Sequence, residues 1–237
     1  MNAPAIPAPQ DWRRFWLTHA VVPGLALALA ILPFEVTDLD LVLSDPFYDF
    51  EARCWPHVEA FWAREVVHRW GKYFVWAVGL VPLTALLLSW RLPRLIAWRR
   101  TCLYIVLCMA LSPAVVVLLK VLIGRHCPWA IERYGGDVAW NRLFDMAPSA
   151  LSDGKPGRGF PAAHASSGLG LLCFYFAAYA RGLRRPWLWA LPGLLLGLVF
   201  AFGQQARGAH FFSHNLWSLA VCWGIALLVY RAFGGRL

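Results

Sequence analysis

Two long apolar segments meet at Gly203-Gln-Gln-Ala-Arg-Gly-Ala-His-Phe-Phe-Ser-His-Asn-Leu-Trp217, the stretch around which the rest of the chain is interpreted. It carries one arginine, Arg207, and two histidines, His210 and His214. Residues three and four apart share one face of a helix, so these side chains would converge if the stretch were helical. Because ionisable groups beside hydrocarbon are costly, the cluster indicates a functional site.

The composition is that of a membrane protein. Of the 237 residues, 59% are hydrophobic and 14 are tryptophan, and the mean hydropathy is +0.53. Soluble domains are usually about 45–50% apolar. The net charge of +9 lies in short clusters between the apolar runs, which is typical of membrane orientation rather than of nucleic-acid binding. We therefore expect membrane lipids around the chain and no nucleic-acid partner.

Six apolar runs are predicted to cross the membrane as helices, and the first is long enough to cross about 30 Å of hydrocarbon. They are residues 15–34, 73–90, 101–119, 165–180, 187–206 and 215–230. The pattern predicts an all-α, polytopic membrane protein with one six-helix domain at 15–231, a flexible tail at 1–14 and a short tail at 232–237. A cleaved signal peptide is the alternative for the first run, because Arg13 and Arg14 precede it; its length favours a retained helix.

Charge predicts the orientation of these helices. Arg13 and Arg14, the 91–100 and 181–186 loops and the C-terminal tail hold most of the arginines. The positive-inside rule places them and both termini in the cytoplasm. The acidic segment within 35–71, the 121–163 loop and the 205–214 turn then share the outer face, which is periplasmic if the membrane is a bacterial inner membrane.

Three separate segments bring cations and imidazoles to that outer face. Lys120 and Arg125 follow the third helix, His164 begins the fourth, and the 207–214 turn joins the last two. Lysine and arginine can neutralise phosphoryl oxygens. One histidine can attack phosphorus, and a second can protonate the leaving oxygen and later activate water. The arrangement favours chemistry on a phosphate ester or anhydride.

These residues resemble the type 2 phosphatidic acid phosphatase (PAP2) superfamily, whose motifs are Lys-x6-Arg-Pro, Pro-Ser-Gly-His and Ser-Arg-x5-His-x3-Asp. The first motif here reads Lys120-Val-Leu-Ile-Gly-Arg-His-Cys-Pro128, with Cys127 in the arginine position and Arg125 two residues earlier. The second reads Phe160-Pro-Ala-Ala-His164. The Lys-to-Pro spacing and the second-motif proline and histidine are thus kept.

The third motif departs from the family pattern in two places. Gln204 stands where arginine is expected, with Arg207 one helical turn away, and His214 replaces the aspartate that orients the nucleophile. These departures are similar to those of the branch containing the lipid A phosphotransferase that takes phosphate from undecaprenyl pyrophosphate. The resemblance covers about residues 73–231, and the combined order of the three motifs is a specific signal for this superfamily.

The resemblance implies an integral-membrane phosphatase that hydrolyses a lipid phosphate or pyrophosphate through a phosphohistidine, without a metal or other cofactor. It assigns nucleophilic attack to His210, orientation to His214 and the leaving group to His164. The phosphate-binding residues would be Lys120, Arg125 and Arg207, with possible head-group contacts from His126, Lys155 and Arg158. One alternative is a phosphotransferase with a lipid acceptor such as lipid A; another is a non-enzymatic phosphate-lipid transporter or scaffold.

Other interpretations of single residues stay open at this stage. A metal pair at His210 and His214 lacks an accompanying carboxylate in the motif, so we expect no metal. Cys54 and Cys127 fall on the same predicted side, and a disulfide between them is one possibility. His68 has no motif around it and is interpreted as structural. The lipid that is bound and the oligomeric state are both left open.

Overall fold

Helices make up the regular structure of the chain. The computed structural model describes residues 11–145 and 157–237, and within these ranges it has helices and turns but no strand. The main helices are α1 (Trp12–Val36), α2 (Leu39–Ser44), α3 (Trp62–Leu88), α4 (Arg99–Ile123), α5 (163–180), α6 (Leu191–Ala206) and α7 (Phe212–Ala232). The prediction of an all-α fold is confirmed.

Within the described ranges, five helical segments are long and apolar enough to cross a membrane. They are Trp12–Val36, Trp62–Leu88, Pro93–Ala130, Pro186–Ala206 and Phe212–Ala232. They correspond to five of the six predicted runs and identify an integral membrane protein. The remaining predicted run, 165–180, is helical as well: α5 is built from Ala163–Leu169, a 3₁₀ turn at Gly170–Leu172, and Cys173–Ala180.

Helix α5 lies inside the helix bundle, where it packs against α4, α6 and α7. Its contact with α6 is close because glycines face the neighbouring backbone. A Cβ on Gly168 would lie 2.9 Å from the backbone nitrogen of Gly197, and one on Gly193 would lie 2.9 Å from that of Leu172. Small residues permit such close approach between membrane helices. This packing fixes the first turn of α5, which carries His164.

Helix α3 begins at Trp62 rather than at residue 73, where the apolar run begins. Its first part, Trp62–Trp70, is wound as a π-helix and continues directly into Gly71–Leu88. Charged side chains lower the hydropathy of this first part, so the apolar pattern starts too late. An ion pair between Glu65 and Arg69, four residues apart at 2.7 Å, favours the helix here. The segment between α2 and α3 is therefore shorter than the predicted 35–71 loop.

Residues 39–55, which include α2, and residues 128–145 form a cap over the turn between α6 and α7. A buried cluster holds the cap together: Tyr48, Trp55, Ile131, Tyr134, Val138 and Phe211. Arg133 pairs with Asp45 at 2.6 Å, and the Tyr134 hydroxyl donates a hydrogen bond to the same carboxylate at 3.0 Å. The hydrogen bond from Arg133 lowers the pKa of Asp45. The acidic segment of the chain is thus packed on the protein itself.

Candidate active site

The turn between α6 and α7 positions His210. Gly208 adopts φ +69°, and its N–H and that of the next residue close the end of α6 by donating to carbonyls one turn back. A side chain at Gly208 would collide with Trp55, because the added Cβ would lie 2.4 Å from the indole ring. The helical face on which Arg207, His210 and His214 would converge is therefore interrupted at this turn.

The backbone of Gly159 joins the three motifs instead. Its N–H donates to the carbonyl of Arg125 at 2.5 Å, and its own carbonyl accepts hydrogen bonds from Nδ1 of His210 at 2.6 Å and of His214 at 2.9 Å. A Cβ at this position would lie 2.3 Å from the carbonyl oxygen of His126, so only glycine fits. The three segments that the sequence predicts to converge are in direct contact here.

His210 is a buried imidazole with one nitrogen left to react. Because a carbonyl oxygen can only accept, Nδ1 of His210 carries the proton that it donates to Gly159. Its Nε2 has no hydrogen-bond partner among the described residues and keeps its lone pair. Burial, reinforced by the positive charge of Lys120 and by His214, holds the pKa of His210 well below its ordinary value. The side chain is therefore neutral at neutral pH, with a lone pair on Nε2.

Lys120 is a half-buried cation close to both histidines of the third motif. It lies in the last turn of α4 and interacts electrostatically with His210, His214 and Arg158. In the part of the chain that the structure describes, its ammonium group has neither an ion pair nor a hydrogen-bond acceptor. A partly buried charge is costly without a counter-charge, so an anion near His210 would stabilise the Lys120 ammonium group.

His164 is held between two rings at the start of α5. Its ring centroid lies 4.4 Å from that of His68 and 4.2 Å from that of Phe200. Its Nε2–H donates to the carbonyl of Val67 at 3.2 Å, which leaves Nδ1 as the nitrogen that can exchange a proton. His164 is close enough to His210 for the two to interact electrostatically. Burial, reinforced by the nearby positive charges, lowers the pKa of His164 to about 3, so this imidazole is neutral in the free protein at neutral pH.

A groove of about 620 Å³ extends from His164 between α3 and α4. His68 and Lys72 line its polar end, where Nδ1 of His68 accepts a hydrogen bond from the Gln204 amide at 2.8 Å. Most of its remaining wall is apolar: Val75, Trp76, Leu80, Met109, Pro113 and Val117. Sequence reasoning missed His68 and Lys72, because their spacing of four residues indicates one helix face only once α3 is known to begin at Trp62.

Two of the arginines predicted to bind phosphate are anchored to neighbouring loops. The Arg125 guanidinium donates to the Asn141 side chain and, at 2.6 Å, to the carbonyl of Leu143. Arg207 donates from Nε to the carbonyl of Val58 at 3.0 Å. Their charges still act at the site, because Arg125 interacts electrostatically with His214 and Arg207 with the imidazoles of His68 and His164 at the groove. Direct contact of either arginine with phosphate stays a prediction.

His214 faces a second and much smaller cavity. This space of about 30 Å³ is also lined by Glu35, Asp40, Arg125 and His126. It has room for little more than a water molecule. Nε2 of His126 and Oε2 of Glu35 are buried without a hydrogen-bond partner among the described residues, so the cavity offers polar atoms that a water molecule could satisfy. The larger groove beside His164, not this cavity, has space for a substrate.

The remaining predicted residues are distributed as follows. Arg158 is exposed and near Lys120, whereas Lys155 lies outside the described residues. Cys54 and Cys127 are both free thiols, so the structure does not contain the disulfide considered from the sequence. Among residues 11–145 and 157–237, no group of three or more His, Cys, Asp or Glu side chains is placed to hold a metal ion.

Asp40 is a buried carboxylate that the sequence motifs do not identify. It is 3% exposed and accepts hydrogen bonds from both the backbone N–H of Ser213, at 3.0 Å, and the Ser213 hydroxyl. Ser213 lies in the first turn of α7, where N–H groups lack intrahelical partners and favour negative charge. Asp40 therefore connects the cap to the helix start that carries His214.

We expect replacement of Asp40 by asparagine to change how stability depends on pH. Burial raises the pKa of Asp40 from 3.8 to about 6, which corresponds to about 3 kcal/mol. Between about pH 4 and 6 the folded protein holds this proton and the unfolded chain does not, so the contribution of Asp40 to stability falls as pH rises. Thermal unfolding curves recorded in detergent should show no such fall in stability between pH 4 and 6 for the Asp40→Asn variant.

Asp38→Asn is the control for this experiment. Asp38 belongs to the same acidic segment but is exposed and pairs with Arg142 at 2.7 Å. The Asp38→Asn variant should show the same difference in thermal stability between pH 4 and pH 6 as the unmodified protein. An Asp40→Asn variant with an unchanged pH dependence would contradict the role assigned to this carboxylate.

The fold and the site together define a helical membrane protein in which buried histidines and an unpaired lysine meet at one end of the bundle. The family model described as PAP2 superfamily matches residues 101–237, more than half of the chain. The chain belongs to the PAP2 superfamily, as the motifs predict, and this identifies a phosphatase-type enzyme. No curated protein and no solved structure matches it. The matched region contains Lys120, His164 and His210, whereas α3 lies outside it.

Proposed function

We propose that the protein is a lipid phosphatase that removes a phosphoryl group through a phosphohistidine at His210. The observation that carries this proposal is the pairing of a neutral imidazole, oriented by the Gly159 carbonyl, with the unpaired ammonium of Lys120. A nucleophile needs a free lone pair, and the phosphoryl oxygens need a cation close to it. The site offers both groups.

In the first step, Nε2 of His210 attacks phosphorus while Lys120 binds the non-bridging oxygens. An N–P bond forms and the bond from phosphorus to the leaving oxygen breaks. Burial holds the pKa of His164 low in the free protein; an anionic substrate bound beside this ring raises that pKa, and His164 that is protonated in the complex transfers its Nδ1 proton to that oxygen. The contacts of His164 with the stacked Phe200 ring and the tilted His68 ring support this role, because they restrict the orientation of the imidazole.

In the second step, water attacks the phosphohistidine and restores the enzyme. Neutral His164 takes a proton from the water as its oxygen bonds to phosphorus, and the N–P bond breaks to release inorganic phosphate. The Gly159 carbonyl keeps the proton on Nδ1 of His210 throughout, so that the same nitrogen, Nε2, is available again. His214 donates to the same carbonyl, and the centroids of the two rings are 6.0 Å apart. His214 would therefore orient His210 through the carbonyl that both rings share.

The groove supports a substrate that carries a hydrocarbon chain. Its polar end is formed by His68, Lys72 and His164, and its apolar wall continues along α3 and α4. Sites of several hundred Å³ with apolar walls and a few polar groups are typical of small-molecule binding. We propose that the chain of a lipid phosphate or pyrophosphate occupies this groove and places its head group next to His164.

The arginine clusters support an orientation with the site on the outer face. Arg100 donates to the carbonyl of Phe233 at 2.9 Å, and Arg181 donates to that of Ala97 at 3.1 Å. These bonds gather the 91–100 loop, the end of α5 and the C-terminal tail at one end of the bundle. The positive-inside rule would place that end in the cytoplasm, with the histidines at the opposite, periplasmic face of a bacterial inner membrane.

Phosphate release from lipid phosphates and pyrophosphates, measured in detergent with EDTA present, tests this function. We expect release that EDTA does not prevent and that vanadate inhibits, because vanadate resembles the transition state of phosphoryl transfer. Long-chain esters should be better substrates than short, soluble ones. Transfer of phosphate only to an added acceptor lipid would contradict hydrolysis and favour a phosphotransferase. If neither release nor transfer were detected, a non-enzymatic role would be favoured.

A further inference from the structure

We propose that His68 and Lys72 of α3 form a second anion-binding subsite, which holds a phosphate group on the leaving side of the reaction. The substrate class is then a lipid diphosphate rather than a lipid monophosphate. This inference rests on the proposed function and specifies its substrate. Neither residue belongs to the three motifs, and both lie outside the region matched to the family.

The first argument is the order of the charged groups. His210 interacts electrostatically with Lys120 and with His164, and His164 interacts in turn with His68, Lys72 and Arg207. His164 thus interacts with the imidazole beside Lys120 and with a separate group that contains two cations, Lys72 and Arg207, and the His68 imidazole. Lys120 adjoins the proposed nucleophile and suits the phosphoryl group under attack; the other group adjoins the proposed proton donor.

The second argument concerns what would lie beside this other group. His164 delivers its proton to the leaving oxygen, so the atoms bonded to that oxygen must lie near His68 and Lys72. An alcohol leaving group is neutral there and gains little from a cluster of cations. A phosphate leaving group brings negative charge, which lysine and histidine bind well. The cluster therefore fits a leaving group that is itself a phosphate ester.

The third argument is that the groove begins at the same cluster. His68, Lys72 and His164 line its polar end, and the apolar wall follows directly along α3 from Val75 to Leu80. Lys72 also lies over the ring of Trp76, 5.4 Å from its centroid, on the wall of this groove. A diphosphate with a hydrocarbon chain matches this order: attacked phosphate, leaving phosphate, then chain.

The reaction balances with these groups alone. Nε2 of His210 forms a bond to the terminal phosphorus, and the bond between that phosphorus and the bridging oxygen breaks. The bridging oxygen stays on the lipid monophosphate and takes the proton of His164. Water then releases inorganic phosphate from His210 as in the proposed function. The products are a lipid monophosphate and inorganic phosphate.

Kinetics with the monophosphate and the diphosphate of one long-chain alcohol test the subsite. We expect the unmodified enzyme to have the higher kcat/KM for the diphosphate. Lys72→Met and His68→Asn should each lower kcat/KM for the diphosphate about tenfold more than for the monophosphate, the scale of one charge-assisted hydrogen bond. Asparagine at position 68 can still accept the hydrogen bond of Gln204. Product inhibition by the lipid monophosphate should weaken in the same variants.

Arg64→Met is the matched control. It removes a positive charge from the same helix, but the Arg64 side chain pairs with Glu59 and is absent from the groove wall. The ratio of kcat/KM for the two substrates should stay as in the unmodified enzyme.

The outcomes separate the subsite from the function on which it rests. Equal losses on both substrates in Lys72→Met and His68→Asn would overturn the subsite, since they would indicate a role shared by all substrates. A preference of the unmodified enzyme for the monophosphate would overturn the subsite and leave the phosphatase standing. Release from neither substrate, with no phosphorylated enzyme, would overturn both.

Discussion

Replacement of His210 by asparagine is expected to reduce phosphate release by at least about 10³-fold, the scale seen when a covalent nucleophile is removed. The asparagine amide can still donate to the Gly159 carbonyl in place of Nδ1, so the turn keeps the bond that holds it. What it lacks is the Nε2 lone pair. The measurement is phosphate release together with trapping of the acid-labile, alkali-stable phosphohistidine from a labelled substrate, which should disappear.

His214→Asn is the matched control for this variant. His214 makes the same hydrogen bond to the same carbonyl, and asparagine preserves that bond as well. We expect slower turnover in His214→Asn, because the orientation of His210 is less well defined, but the phosphohistidine should still form. Trapped phosphohistidine in His210→Asn, with none in His214→Asn, would show that the nucleophile is His214.

Replacement of Lys120 by methionine is expected to lower kcat/KM about 10²- to 10³-fold, the scale of losing one preorganised group that stabilises the transition state. Methionine has a similar length and lacks the charge. Inhibition by vanadate should weaken in parallel, because Lys120 is proposed to bind the same oxygens. An enzyme that retains kcat/KM within about twofold would contradict the role of Lys120.

The same variant should move the acid limb of the pH–rate profile. The charge of Lys120 helps to keep the pKa of His210 low, so its removal raises that pKa. Since only neutral His210 can attack phosphorus, activity in Lys120→Met should be lost at a higher pH on acidification than in the unmodified enzyme. Lys120→Arg keeps the charge and serves as the control, with an acid limb close to the original one.

Much of the fold could be predicted from hydropathy, because a membrane-spanning helix must present apolar side chains over its whole length. Errors occurred where polar residues belong to a helix. The first turns of α3 contain Arg64, Glu65, His68 and Arg69, which lowered the apolar signal although the backbone is helical there. The start of α3, and with it one end of the groove, therefore required the structure.

The motif residues were also predictable, but their contacts were not. Spacing identifies Lys120, His164 and His210 as one constellation, because these side-chain types in this order are specific. Spacing cannot show that the Gly159 carbonyl accepts hydrogen bonds from both third-motif histidines. Every residue has such a carbonyl, and only the folded structure shows which one lies beside the two imidazoles. For the same reason it could not show that Arg207 is bound to the 58 loop.

The sequence by itself determined that this is a helical membrane protein of the PAP2 superfamily and which histidines and lysine are the candidates for its chemistry. Those properties depend on composition, on apolar run length and on local spacing. Only the tertiary structure decided that His68 and Lys72 adjoin His164, that Asp40 binds the start of α7, and that the groove ends at the imidazoles. These relations join residues far apart in the chain, and the close packing of helices that creates them leaves no local signal in the sequence.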